Sequence, residues 1–199
     1  MLSSPAAPAG GLWGKYLKLL ETNPFVTKVT TSVFIIGAGD VMCQLVVEGD
    51  NGKPFDFTRL SHMMIIGGVL IGPCLHVWYG TLGRFFPGNG WSDVAKRLAC
   101  DQLLFAPPFV AAFFAALATL QGKPEETWKR LEESWVDSMI TNYKLWPAAQ
   151  IINFRFVPLQ LQVLFSNGVA LIWNTYLSWE ANRHSAAGAP DAETPALEK

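Results

Sequence analysis

Five long apolar runs dominate the pattern of hydrophobic and polar positions: residues 26–47, 60–83, 98–120, 140–159 and 161–179. Each is near the length needed to cross a bilayer. A backbone in hydrocarbon must satisfy its own hydrogen bonds, so the runs predict an all-α fold, a multi-spanning transmembrane helical bundle. The turn around Pro158 and Gln160 either separates a tight pair of spans or breaks one long element, which makes four crossings or five. Short interfacial helices accompany them. Trp13, Tyr16, Leu17 and Leu20 recur at helical spacing beside Lys15 and Lys18, and residues 124–137 alternate acids and bases around Trp128, Leu131 and Trp135. Residues 1–11 are small and Pro/Gly-rich, and residues 185–199 are rich in Ala, Pro and acids. Neither end can bury a core, so both are expected to be disordered tails around a single transmembrane domain at 12–184.

Composition strengthens the membrane reading. Of 199 residues, 50% are hydrophobic and only 16% charged, and the mean hydropathy is +0.23. That is too apolar for a soluble domain with a solvated surface. A net charge of -1 excludes the basic footprint that nucleic-acid binding requires. Trp91, Trp128, Trp135, Tyr176 and Trp179 lie near run ends and suit an aromatic interfacial belt. Basic residues divide evenly, with Lys15, Lys18, Arg84, Lys96 and Arg97 toward one side and Lys53, Arg59, Lys123, Lys129 and Arg130 toward the other. The positive-inside rule therefore leaves the orientation open.

Polar residues inside such runs are costly, because a central Arg or Lys is penalised by about 2.5–3.5 kcal/mol even on lenient scales. In the run around 142–158, Asn142, Trp146, Gln150 and Asn153 share one helical face, and Lys144 and Arg155 project from roughly the opposite one. The first run places Gly37, Asp40 and Gln44 together, and the last places Asn167, Asn174 and Ser178 together. Asp40, Gln44, His76, Gln150, Asn153, Arg155 and Asn174 are thus the candidates for lining or gating a pore. Arg155 is expected to pair, with Asp40 best placed by depth and Asp101 or water as alternatives. Gly68, Gly72, His76, Gly80 and Arg84 recur every four residues, a small-residue ridge for helix packing that also makes His76 a cross-helix hydrogen-bonding group in the simpler reading. Pro73 and Pro147 belong with the packing and kinking positions, as do Pro107 and Pro108.

No catalytic constellation accompanies these features. Nucleophile-elbow, phosphate-loop and dinucleotide signatures are absent, and Ser61-His62 has no cue for an orienting acid. An enzyme is the least favoured class, and no cofactor is expected. Cys43, Cys74 and Cys100 read as packed thiols. Cys74 and His76 point about 200° apart on a helix, which argues against a metal site. The first residues lack the basic start and apolar core of a secretory signal and the arginines of a transit peptide, so targeting is expected to be internal.

The motifs WGKYLKLLETNPFVTKVTT, GDVMCQ, DFTRL, GPCLHVWY, DQLLFAP, WPAAQIINFRFVP and WNTYLSW together make the chain, from Trp13 to Trp179, resemble the Mpv/PMP family of small peroxisomal and mitochondrial membrane proteins. The resemblance implies an all-helical protein of four spans that forms or supports a pore for small solutes, and most resembles the mitochondrial inner-membrane members, associated with organelle homeostasis and mitochondrial DNA maintenance. The peroxisomal membrane is the alternative. Matching family motif residues are Asp40, Gln44, Arg59, Trp78, Tyr79, Asp101, Gln102, Trp146, Pro147, Gln150, Asn153, Pro158 and Asn174. The expected partners are the lipid bilayer, small solutes and a further copy of the chain in a homo-oligomer, with no nucleic acid. A non-conducting structural or partner-recruiting membrane protein is the competing function.

Overall fold

A computed structural model describes residues 11–47 and 54–172. Asn174, the WNTYLSW motif and most of both expected tails lie outside the described residues. Among the described residues every regular element is a helix and none is a strand. Helix α1 (Leu12–Thr22) meets α2 (Pro24–Met42) at Asn23, where Pro24 opens the new helix at a position that needs no N–H partner. A π-helical turn, Cys43–Val47, finishes α2. Asp56 caps α3 (Phe57–Ile66) by accepting from the Arg59 backbone N–H at 2.9 Å.

Two spans share an unusual construction. Helices α3 and α4 (Gly72–Phe85) are joined through a π turn at Gly67–Ile71, and α5 (Trp91–Cys100) and α6 (Ala106–Leu120) through one at Asp101–Phe105. In both, the residue after the turn donates five residues back, Gly72 to the Gly67 carbonyl and Ala106 to the Asp101 carbonyl. A proline follows each, Pro73 and Pro107. Proline has no N–H and its ring collides with the carbonyl four residues before it, so widening the helix by one residue lets the chain pass without a break.

Among the described residues three helices are long and apolar enough to cross a membrane: Pro24–Leu45, Phe57–Phe85 and Trp91–Leu120. The interfacial helix expected at 124–137 and the fourth apolar run instead form one helix, α7 (Thr127–Phe156), of 30 residues. No breaker stands between Asp137 and Pro147, so amphipathic and apolar segments continue on one axis for about 45 Å. Helix α8, described over Leu159–Ile172, begins after Pro158.

Helix α2 packs on α3, the Gly67–Ile71 turn and α4, while α7 packs on α5 and α6. The core centres on Leu75, Tyr79, Leu82, Val94, Phe154 and Val163. Large apolar side chains such as Phe34, Val69, Val77, Leu103 and Leu104 face outward, as a bilayer requires. The glycine ridge packs only in part. A Cβ at Gly68 would lie 2.8 Å from Val33 and one at Gly72 3.0 Å from the Val29 backbone, but one at Gly80 would meet nothing within 4 Å. Gly67, beside the predicted ridge, is as closely covered, 3.1 Å from the Ser32 carbonyl oxygen.

Candidate functional site

The π turn at Asp101–Phe105 brings two successive polar side chains, Asp101 and Gln102, into the interior, where both are buried. The Asp101 carboxylate meets three neutral donors: Trp78 Nε1 at 2.9 Å on Oδ1, and Gln102 Nε2 at 2.8 Å and Gln150 Nε2 at 3.0 Å on Oδ2. Such bonds hold a carboxylate without a neighbouring cation. Stacking of the Trp78 ring on Phe105, at 4.9 Å, sets the direction of the indole N–H.

From Asp101 the network crosses four helices. Gln150 on α7 also donates to the Tyr79 hydroxyl at 2.9 Å. Tyr79, already accepting from Gln150, lies 2.8 Å from Ser166 Oγ on α8. Asn153 joins the same cluster, donating to Gln150 Oε1 at 2.9 Å and to Ser166 at 3.1 Å. Asn142 donates to Gln102 Oε1 at 3.0 Å. Tyr143 serves the backbone instead, its hydroxyl donating to the Gln102 carbonyl at 3.1 Å. That carbonyl is the next in the π register after Asp101 and would bond residue 107, a proline, so the tyrosine supplies the donor that Pro107 lacks.

These groups border a chamber of about 200 Å³ inside the bundle. Asp101, Gln102, Asn142, Gln150, Ser166 and Asn167 provide its polar wall, and Ile36, Leu75, Phe105, Phe109 and Phe113 contribute to the apolar one. Asn167 donates to Ser32 Oγ at 2.7 Å, and Ser32 in turn donates to the Lys28 carbonyl at 3.0 Å. That relay fixes which end of the Asn167 amide faces Ser32 and leaves its buried Oδ1 without a protein partner.

Of the predicted lining residues, Gln150 borders the chamber and Asn153 stands behind it in the network. Asp40 and Gln44 occupy a separate clasp. Arg59 Nε meets Asp40 Oδ1 at 2.8 Å, Gln44 Nε2 donates to Asp40 Oδ2 at 2.8 Å, and the Asp56 N–H donates to Gln44 Oε1 at 2.7 Å. The clasp ties the end of α2 to the start of α3. The expected pairing of Arg155 with Asp40 or Asp101 does not form. Arg155 sits in the last turn of α7, its guanidinium 5.6 Å from the Trp91 ring and 5.4 Å from the Phe156 ring, where aromatic faces stabilise the cation. Lys144, the other basic residue of that run, is exposed. His76 packs edge-on to Phe25 at the α2–α4 contact, 5.4 Å between centroids, with Nδ1 buried and unpartnered. Pro147 lies inside α7. Ser166 and Ser32 carried no signal in the sequence, because a serine inside an apolar helix commonly bonds its own backbone.

A model of the Mpv17 / PMP22 family matches residues 118–178. The mitochondrial inner membrane protein Mpv17 of Xenopus laevis is 38% identical over 174 residues, covering 87% of this chain and 98% of the relative. Its Homo sapiens counterpart is 37% identical over 173 residues, 86% and 98% of the two chains. Protein SYM1 of Gibberella zeae is 36% identical over 166 residues, 82% and 94%. No solved structure matches. With such identity along nearly the full length of its relatives, the chain belongs to the Mpv17/PMP22 family and is an integral protein of the mitochondrial inner membrane.

Proposed function

We propose that the protein is a non-enzymatic channel for small solutes, and that it contributes in this way to mitochondrial homeostasis and mitochondrial DNA maintenance. One observation carries the reading: a chamber lies within the bundle, walled on one side by a carboxylate, amides and a hydroxyl. Buried polar groups at membrane depth are expensive and mark solute pathways. At about 200 Å³ the chamber is smaller than most drug-sized ligand sites, which favours small solutes over bulky ones. The bilayer and those solutes are the partners this reading requires, and a homo-oligomer would add further walls. Purified protein in a planar bilayer should pass current, and Gln150→Leu should reduce it. Absence of current above protein-free bilayers, across voltage and pH, overturns the proposal.

A non-conducting scaffold draws support from a different observation, that most of the network's donors are spent on other members of the network. It predicts no current above protein-free bilayers from the wild type, none from Gln150→Leu or Asn153→Leu, and loss of co-purifying proteins in the two variants.

A further inference from the structure

A second cavity, of about 510 Å³, lies where α3 begins and α6 ends, with Asp56, Thr58, Arg59, His62 and Gln121 in its wall. Met63 lines both this vestibule and the inner chamber. One face of α6 connects them: Ala106, Phe109 and Phe113 border the chamber, and Leu117 and Gln121 continue the stripe into the vestibule. Spacings of three and four residues keep these positions in line over about 22 Å of helix. The two cavities thus lie along one stripe of α6 and share Met63 in their walls.

We propose that Met63 is the movable partition through which the vestibule opens to the chamber, and so the gate for solutes entering from this end. Its role as a gate rests on the channel reading above. An unbranched thioether with three rotatable bonds changes rotamer without disturbing the backbone, and an apolar side chain at a constriction excludes water when it swings in. The adjacent Met64 is differently placed. A Cβ on Gly37 would lie 2.9 Å from Met64 Cγ, so Met64 is wedged into the α2–α3 contact while Met63, half-buried, faces cavities.

Conductance of the full chain in planar bilayers should rise in Met63→Ala, which should also admit larger solutes, and should fall about tenfold in Met63→Trp, as expected when a hydrophobic constriction limits passage. A second measurement does not need current. With Cys43, Cys74 and Cys100 replaced by serine, a thiol introduced by Ala106→Cys in the chamber is labelled by a charged, water-soluble methanethiosulfonate. Met63→Ala should speed the labelling and Met63→Trp slow it, each about tenfold. Met63→Leu, near in volume but branched and stiffer, should slow it as well and serves if the tryptophan variant fails to fold. Labelling rates within about twofold of one another in all variants overturn the gate, even if the protein conducts. A protein that passes no current yet keeps the Met63-dependent labelling retains the partition and loses the channel.

Discussion

Arg59, in the first turn of α3, reaches Asp40 in the last turn of α2, Nε to Oδ1 at 2.8 Å. The acid is nearly enclosed, with 4% of its side chain exposed, whereas the guanidinium keeps 34%. Removing the cation leaves a buried carboxylate with Gln44 as its donor among the described residues. Arg59→Gln should therefore destabilise the bundle by about 2–3 kcal/mol, below the range for a fully buried pair because Arg59 remains partly solvated. Thermal unfolding of the purified protein in detergent measures the loss. The exchange Asp40→Arg with Arg59→Asp should recover part of it, whereas Asp40→Asn should couple strongly to Arg59→Gln.

Gln150 gives its two amide protons to different helices, one to Asp101 and one to Tyr79. Gln150→Leu strips both acceptors of a donor and Asn153 of an acceptor, in a place water does not readily refill. A cost of about 1–3 kcal/mol is expected in thermal unfolding, with a fall in bilayer current. Gln150→Glu should cost more, since it sets a second carboxyl against Asp101.

Tyr143 and Pro107 are predicted to be coupled although neither touches the chamber. Tyr143→Phe leaves the Gln102 carbonyl without its donor and should cost about 1–3 kcal/mol. Pro107→Ala restores a backbone N–H at the position that would naturally fill that carbonyl. In a double-mutant cycle, Tyr143→Phe should then cost much less in the Pro107→Ala background than alone. Equal costs in both backgrounds would show that the hydroxyl does not stand in for the missing N–H.

Glycines on one helix should respond in opposite directions. Gly72→Ala drives a methyl to 3.0 Å from the Val29 backbone, which side chains alone cannot relieve, so a loss of about 1–3 kcal/mol is expected. Gly80→Ala meets open space and should stabilise by about 0.5–1 kcal/mol through helix propensity. Melting temperatures of the two variants, read against wild type, test the pair.

The sequence was most readable where a single helix states its own chemistry. Gln150 and Asn153 share an inward face on α7 as their spacing implies, and Gly68 and Gly72 approach α2 closely. It was least readable where the answer depends on which helices meet. Depth alone paired Asp40 with Arg155, but the packing of α2 on α3 brings Arg59, 19 positions along the chain, to the Asp40 carboxylate instead. Burial of Arg97 and exposure of Lys144 are likewise set by neighbours, not by local polarity. The continuity of α7 was hidden by a change of character along its length. Its first half is charged and its second apolar, and composition was a poor guide to where a helix stops when no proline or glycine marks the end.

Each π turn lengthens its helix by one residue without interrupting it, and so acts as a phase shifter: everything downstream is rotated by about 100° relative to an uninterrupted helix. Val69 and Leu103, inside the two turns, are 75% and 66% exposed and touch little of the interior. Their side chains are interchangeable with other apolar ones, but their presence in the count is not. A chain one residue shorter at either place would return to ordinary pitch and turn one half of the span away from the other; at Gly67–Ile71 that rotation would carry Trp78 and Tyr79 out of reach of Asp101 and Ser166. The most anonymous outward positions of these spans therefore set the azimuth of the buried polar groups, and they do so as spacers.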